Sequence, residues 1–178
     1  MLRSDTQLHN AMRIVSGTVK STPTEWLPVL TNILPPPLRR KEALLRSAIK
    51  AEKTKRSLLY QMLRNTPKYL TTEWHENWTL TDVKNSCLVS DPNKGVEGMD
   101  LLRDVWSVLN RIRTGHGRCS SMMSKWSLKD SSACDCGYNN QTVHHIVEEC
   151  PKRRFNRGIE GIHTAGADPD QDNGGGDF

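Results

Sequence analysis

The chain is short of apolar residues. Only 35% of its 178 residues are hydrophobic, and Leu, Ile, Val and Phe together make up about 21%. That lies just above the roughly 20% below which a charged chain tends to stay unfolded. The shortage excludes one large core and predicts helical pieces with modest cores, joined by mobile segments. No apolar run approaches the ~18 residues of a membrane-spanning helix. The opening MLRSDTQLHNAMR has no apolar h-region, so no secretory signal is expected. Cysteine is scarce and odd in number, five in all. A disulfide framework is therefore disfavoured, and metal binding or free thiols are preferred. Convincing strand patterns and internal repeats are lacking, which points to an all-α chain.

What the chain has is clustered positive charge. Net charge is +5, yet residues 38–64 alone hold nine Lys/Arg against Glu42 and Glu52, a net of +7. Arg39, Arg40 and Lys41 open that run. Arg111, Arg113 and Arg118 form a second basic group around His116, and Lys152, Arg153, Arg154 and Arg157 a third. Any one group reads as a solvated helix face. Three groups flanking a possible metal site point to a polyanion, and nucleic acid is the usual one.

Helical periodicity recurs in pieces. Leu8, Ala11, Met12 and Val15 follow i, i+3, i+4, i+7 spacing, and Gly17 sits where a C-terminal cap belongs. Thr22 and Glu25 form a capping box with Pro23 at the first helical position, and Pro28 predicts a kink or two short turns. Pro37 can open a helix over 38–64, about 40 Å long at ~1.5 Å per residue. Residues 65–99 lose the pattern and read as a flexible linker, except that Trp74 and Trp78 can dock on a core from one helical turn. Periodicity resumes at Leu101, Leu102, Val105, Leu109 and Ile112, between Asp100 as cap and Gly115 as stop. A short helix is expected from Ser120 or Ser121. Residues 158–178 read as a disordered tail, acidic and Gly-rich from Asp168.

Residues 134–150, CDCGYNNQTVHHIVEEC, carry the chemistry. Cys134, Cys136, His145 and Cys150 are spaced C-x-C-x8-H-x4-C. Three soft thiolates and one imidazole are a closed set for tetrahedral Zn2+. Gly137 suits the tight turn that lets backbone N–H groups face the sulfurs. Thr142 can cap a short helix carrying His145, with His144 as a rival ligand. Neither His lies directly under Cys150 on a regular helix, so Cys150 is expected past the helix end. His116 and Cys119 can supply an additional or substitute ligand, and Cys87 reads as a free thiol. Four protein ligands leave no open position, which argues for one structural site. Zinc would supply folding energy to an apolar-poor stretch.

Three stretches resemble a known family: LNRIRTGHGRC (109–119), KWSLKDSSACDCGYNNQTVHHIVEECPKRRF (125–155) and AMRIVSGTVKSTPTEWLPVLTNILPPPLRRKEALL (11–45). They resemble the C-terminal part of reverse transcriptases (RNA-directed DNA polymerases) from jockey-like non-LTR retrotransposons, over about two-thirds of the chain. The resemblance implies a thumb-like helical region over 1–64, a linker over 65–99 and a zinc-knuckle module over 100–157. It carries Cys134, Cys136, His145 and Cys150 over as zinc ligands. It implies binding to the RNA or DNA backbone, through Arg39, Arg40 and Lys41 in the thumb-like region. In the knuckle the candidates are Arg111, Arg113, Arg118, Arg153 and Arg154. A polymerase of this family needs palm carboxylates to hold two metal ions. The chain has no adjacent Asp-Asp pair, and nothing in it resembles the palm or the endonuclease. A truncated, non-catalytic chain is therefore expected, located in the nucleus or cytoplasm. The rival reading is a zinc-stabilised interaction module, with no nucleic-acid role, that packs against the missing palm or another protein. Trp26, Trp74, Trp78, Trp106 and Trp126 would cover its surface. A zinc hydrolase using His116 or His75 as base carries little weight, since no carboxylate–His pattern accompanies a vacant metal position.

Overall fold

The structure is a computed structural model that describes residues 3–52 and 66–164. Among the described residues there is no strand, and the all-α expectation holds. The chain divides into two compact units. The first comprises Met1–Val15 and Pro23–Val96, the second Ser16–Thr22 and Glu97–Phe178.

In the first unit, helix α1 (Arg3–Ser16) buries His9 and Met12. The apolar set expected of this helix is only partly used, because Val15 is half exposed and Ala11 lies on the surface. Helix α2 (Trp26–Thr31) is six residues long and wholly buried. Pro23 precedes it, so the predicted capping box does not open it. Pro28 sits at its third position, where a helix has no use for an N–H, and no kink is required. Asn32 ends it in the left-handed conformation. Helix α3 (Pro36–Glu52) starts one residue before the predicted Pro37. The continuation of the predicted helix to 64 lies outside the described residues.

Within the stretch expected as a linker, Thr66–Thr79 form helix α4, which packs on α3 and on a single turn at Pro92–Lys94. Leu70, Trp74 and Trp78, each one turn after the last, are all buried. Trp78 meets Trp26 edge-to-face at 5.1 Å. Each indole N–H finds a backbone carbonyl, Trp26 that of Lys84 and Trp78 that of Val89. Three large side chains within nine residues anchor a helix whose other positions are mostly polar. Cys87 is an exposed free thiol.

The second unit contains α5 (Arg103–Arg113), α6 (Ser120–Lys125), a wide turn at His145–Glu149 and α7 (Gly158–Thr164). Gly17, the predicted cap of α1, has φ +67° and lies against Ser107. Cys119, Val143 and Val147 form a small core with Ile112, Met122, Ile146, Ile159 and Ile162 packed on it. Residues 158–164 of the expected disordered tail are therefore ordered as α7. The Glu148 carboxylate accepts the Ile159 N–H at 2.6 Å and caps this helix. Residues 165–178 lie outside the described residues.

Candidate metal centre

The donor atoms of Cys134, Cys136, His145 and Cys150 lie within 4.8 Å of one another. Cys134 Sγ stands 3.9 Å from Cys150 Sγ, and Cys136 Sγ 3.3 Å from His145 Nε2. A disulfide would need about 2.05 Å, so the sulfurs are separate donors. An ion bound tetrahedrally at about 2.3 Å to sulfur and 2.0–2.1 Å to nitrogen sets donor–donor edges of about 3.8 and 3.6 Å. The four side chains fit one metal ion.

Local backbone geometry explains this convergence. Gly137 takes φ +95° and closes a turn in which its N–H reaches the Cys134 carbonyl at 3.0 Å. The Tyr138 carbonyl accepts the Cys134 N–H at 2.8 Å. That turn aims the Cys136 N–H at the Cys134 sulfur and the Tyr138 N–H at the Cys136 sulfur. The Cys136 N–H holds the Cys134 thiol below its ordinary range, against the opposing effect of burial. Burial pushes the Cys150 thiol up, but the N–H groups of Lys152 and Arg153 and the neighbouring sulfurs outweigh it, and this thiol too lies below its usual value. Cys136 differs: its sulfur accepts the Tyr138 N–H, but burial and the Cys134 and Cys150 thiols outweigh that bond and hold it above its usual value. The N–H bonds at Cys134 and Cys150 favour the thiolate charge a metal requires.

Thr142 Oγ1 accepts the His145 N–H at 3.0 Å, as a cap should. The turn that follows is widened. The Cys150 N–H reaches back five residues to the His145 carbonyl at 2.7 Å, and Cys150 then turns extended ahead of Pro151. One extra residue in the turn brings Cys150 to the cluster from just past the helix end. The structure brings His145, not His144, to the sulfurs. His145 is 3% exposed, whereas the His144 ring is half exposed and faces Glu149 Oε1 at 3.5 Å. Glu149 Oε2 lies 3.3 Å from His145 Nδ1, leaving Nε2 toward the sulfurs. This carboxylate–histidine pairing orients metal-binding imidazoles. Tyr138 stacks on the same ring at 4.4 Å and 9°.

A polar frame surrounds Cys134. The Gln141 side-chain amide donates to its sulfur at 3.2 Å, while Gln141 Oε1 accepts from the Ser120 N–H and hydroxyl at 3.0 and 2.7 Å. Arg153 grips Asp135 with both guanidinium nitrogens, one at 2.7 Å, and holds that carboxyl well below the usual range. Sequence reading missed Gln141, Glu149, Tyr138 and Asp135. Glu149 had a signal, being four residues after His145; Gln141 had none. His116 and Cys119 do not join the cluster. His116 Nδ1 meets Ser21 Oγ at 3.1 Å, and Cys119 belongs to the apolar core.

The basic candidates divide by environment. In the first unit Arg39 is exposed, Arg40 pairs with Asp5, and Lys41 pairs with Glu73 at 2.6 Å and lies over the Tyr69 ring. In the second unit Arg118 and Arg154 are exposed, and Arg111 Nε donates to the Gly17 carbonyl at 3.0 Å. Arg113 corrects the expectation that it reaches a phosphate, because it is 0% exposed. Its guanidinium donates to Asn110 Oδ1 at 3.1 Å, the Glu97 carbonyl at 2.7 Å and His163 Nδ1 at 3.0 Å. Burial pulls its pKa down to about 10, which leaves it charged at neutral pH. Burial and that neighbouring charge bring His163 down to about 4.

No protein-family model matches the chain, and no solved structure matches it. Over 53 residues, 30% of this chain, it is 34% identical to a protein of Bradysia coprophila described as the "Retrovirus-related Pol polyprotein from type-1 retrotransposable element R1". The chain spans 5% of that relative's length. The comparison supports a retrotransposon-related segment; the structure independently supplies a cysteine–histidine cluster able to hold one metal ion.

Proposed function

We propose that residues 97–164 form a zinc-stabilised, nucleic-acid-binding module. It is of the kind found near the C-terminus of jockey-like non-LTR reverse transcriptases, with a thumb-like helical region before it. The observation that carries the reading is the closed set of three sulfurs and one imidazole with arginines beside it. Soft thiolates with imidazole favour Zn2+ over the harder divalent ions. Four protein donors leave no position for a substrate, so the ion serves folding. The polymerase activity of the parent family would reside in palm carboxylates; the sequence has no adjacent Asp-Asp pair, and we read the chain itself as non-catalytic. Arg118 and Arg154 are exposed and Arg153 is held beside Cys134. Such groups neutralise phosphates and release counterions, so binding weakens steeply with salt. Arg39 is the exposed candidate in the first unit. The reading carries a nuclear or cytoplasmic location with it.

A protein-interaction role is favoured by one observation. Leu102, just before α5, and Val105 and Val108 on it are at least half exposed. A groove beside them is lined by Val108, Ile112, Val143, Ile146 and Val147. One measurement tests the metal that both readings require, and a second separates them. Metal analysis of purified protein should find one zinc per chain, retained in His144→Ala and lost in Cys150→Ser. Fluorescence anisotropy with RNA and duplex DNA should show salt-sensitive binding that charge reversal at Arg118, Arg153 and Arg154 abolishes. Absence of zinc, or absence of salt-sensitive binding at micromolar protein, refutes the corresponding half of the proposal.

A further inference from the structure

The second unit carries a cavity of about 500 Å³ on the Cys134 side of the metal cluster. Its wall includes Arg118, Ser120, Lys129, Asp135, Gln141 and Arg153. Three cations therefore face one carboxylate. Lys129 is on the surface, yet its ammonium is drawn onto the buried Ser120 hydroxyl at 2.6 Å. That hydroxyl gives its own proton to Gln141 Oε1, so it can only accept from Lys129. The ammonium is thereby fixed at the cavity with further N–H donors to offer. Arg153 is fixed from the opposite side by Asp135. The first amides of α6 take no part, because Gln141 accepts both, Ser120 N–H through its side chain and Ser121 N–H through its backbone. Met123 and Ile146 add an apolar margin.

We propose that this cavity is a phosphate subsite. Arg118 and Lys129 each take a non-bridging oxygen of one backbone phosphate, and Arg153 adds charge behind them. A phosphodiester matches this arrangement because it offers two acceptor oxygens and one negative charge to a site with excess positive charge. The apolar margin gives the attached sugar a place to rest. The inference rests on the nucleic-acid reading above and adds residues the sequence did not single out, Lys129 above all. It also ties the subsite to the metal loop, since Gln141 and Asp135 both come from it.

The test uses the full-length, zinc-replete chain. Anisotropy with a labelled single-stranded oligonucleotide is measured over a salt series for wild type, Lys129→Ala and Lys125→Ala. Lys125 is exposed on α6 and outside the cavity wall. Weakening that phosphate contact should reduce the slope of log affinity against log salt by a measurable part of the ~0.7 that one phosphate of a single strand contributes, in Lys129→Ala but not in Lys125→Ala. In parallel, inorganic phosphate is titrated while amide resonances are followed by NMR. Shifts at Ser120, Lys129 and Gln141 in wild type, absent from Lys129→Ala, are expected. Equal zinc content shows that the variants are folded. Equal slopes for the two lysine variants, with no phosphate shifts, overturn the subsite while leaving nucleic-acid binding intact. Phosphate shifts without oligonucleotide binding uphold the subsite and overturn its nucleic-acid ligand.

Discussion

Replacing Arg113 by Ala should collapse the second unit rather than merely weaken ligand binding. The side chain is wholly buried. It donates to the Glu97 carbonyl at 2.7 Å, to the His163 carbonyl at 3.1 Å and to Asn110 Oδ1 at 3.1 Å. Hydrogen bonds to a charged group contribute about 1.5–3 kcal/mol each, but bonds made by one side chain do not add. Truncation also leaves those acceptors buried without a donor. A loss of about 3–5 kcal/mol is expected, as when one partner of a buried charged network is removed. For a unit of this size that lowers the melting temperature by more than about 12 °C. Urea unfolding followed by circular dichroism and tryptophan fluorescence measures it by linear extrapolation. Arg118→Ala, at an exposed position before α6, should stay within about 0.5 kcal/mol of wild type. An Arg113→Ala protein as stable as wild type that no longer binds nucleic acid would refute the buried assignment and return Arg113 to the binding surface.

Acid should weaken the second unit through His163. Its folded pKa of about 4 lies below the unfolded value of about 6.5. The unfolded chain therefore binds more protons between those values, and stability is lost as pH falls from 6.5 toward 4. Melting temperatures at pH 7, 6 and 5 should fall less in His163→Asn than in wild type. A Cβ at Gly17 would lie 2.0 Å from Ser107 Oγ at φ +67°, so Gly17→Ala should destabilise by more than the ~1 kcal/mol of a left-handed backbone alone; a neutral thermal shift would contradict this. Glu149→Gln should weaken metal affinity about tenfold by loosening the His145 ring. Chelator competition reads that directly, and unchanged affinity would mean that the carboxylate does not orient the imidazole.

The metal cluster was legible because its signal is chemical. Few residue types bind soft ions, and Cys134, Cys136, His145 and Cys150 crowd into one short stretch. Burial of charge was not legible. Arg113 stands at the end of an amphipathic helix, where a cation ordinarily meets water and favours the helix dipole. Only the return of α7, with His163 and its carbonyl, encloses it. Helix α4 escapes a periodicity reading because Leu70, Trp74 and Trp78 are the only large buried apolar residues among its described side chains. A stripe one residue wide has weak periodicity, yet each indole buries more area than two small aliphatic side chains. The oxygen of Gln141 lay hidden for another reason. Its role depends on Ser120, which arrives from a distant position in the chain.

The path of the backbone through the two units has a practical outcome. Residues 16–22 sit between two segments of the first unit but belong with residues 97 onward. No single scissor point yields both halves whole. A recombinant piece starting at 97 would forfeit the Ser16 and Gly17 carbonyls that receive the Asn110 amide and the Arg111 Nε. Ribosomal synthesis meets the same problem in time, because that early loop must wait for α5 to emerge before its carbonyls find their donors.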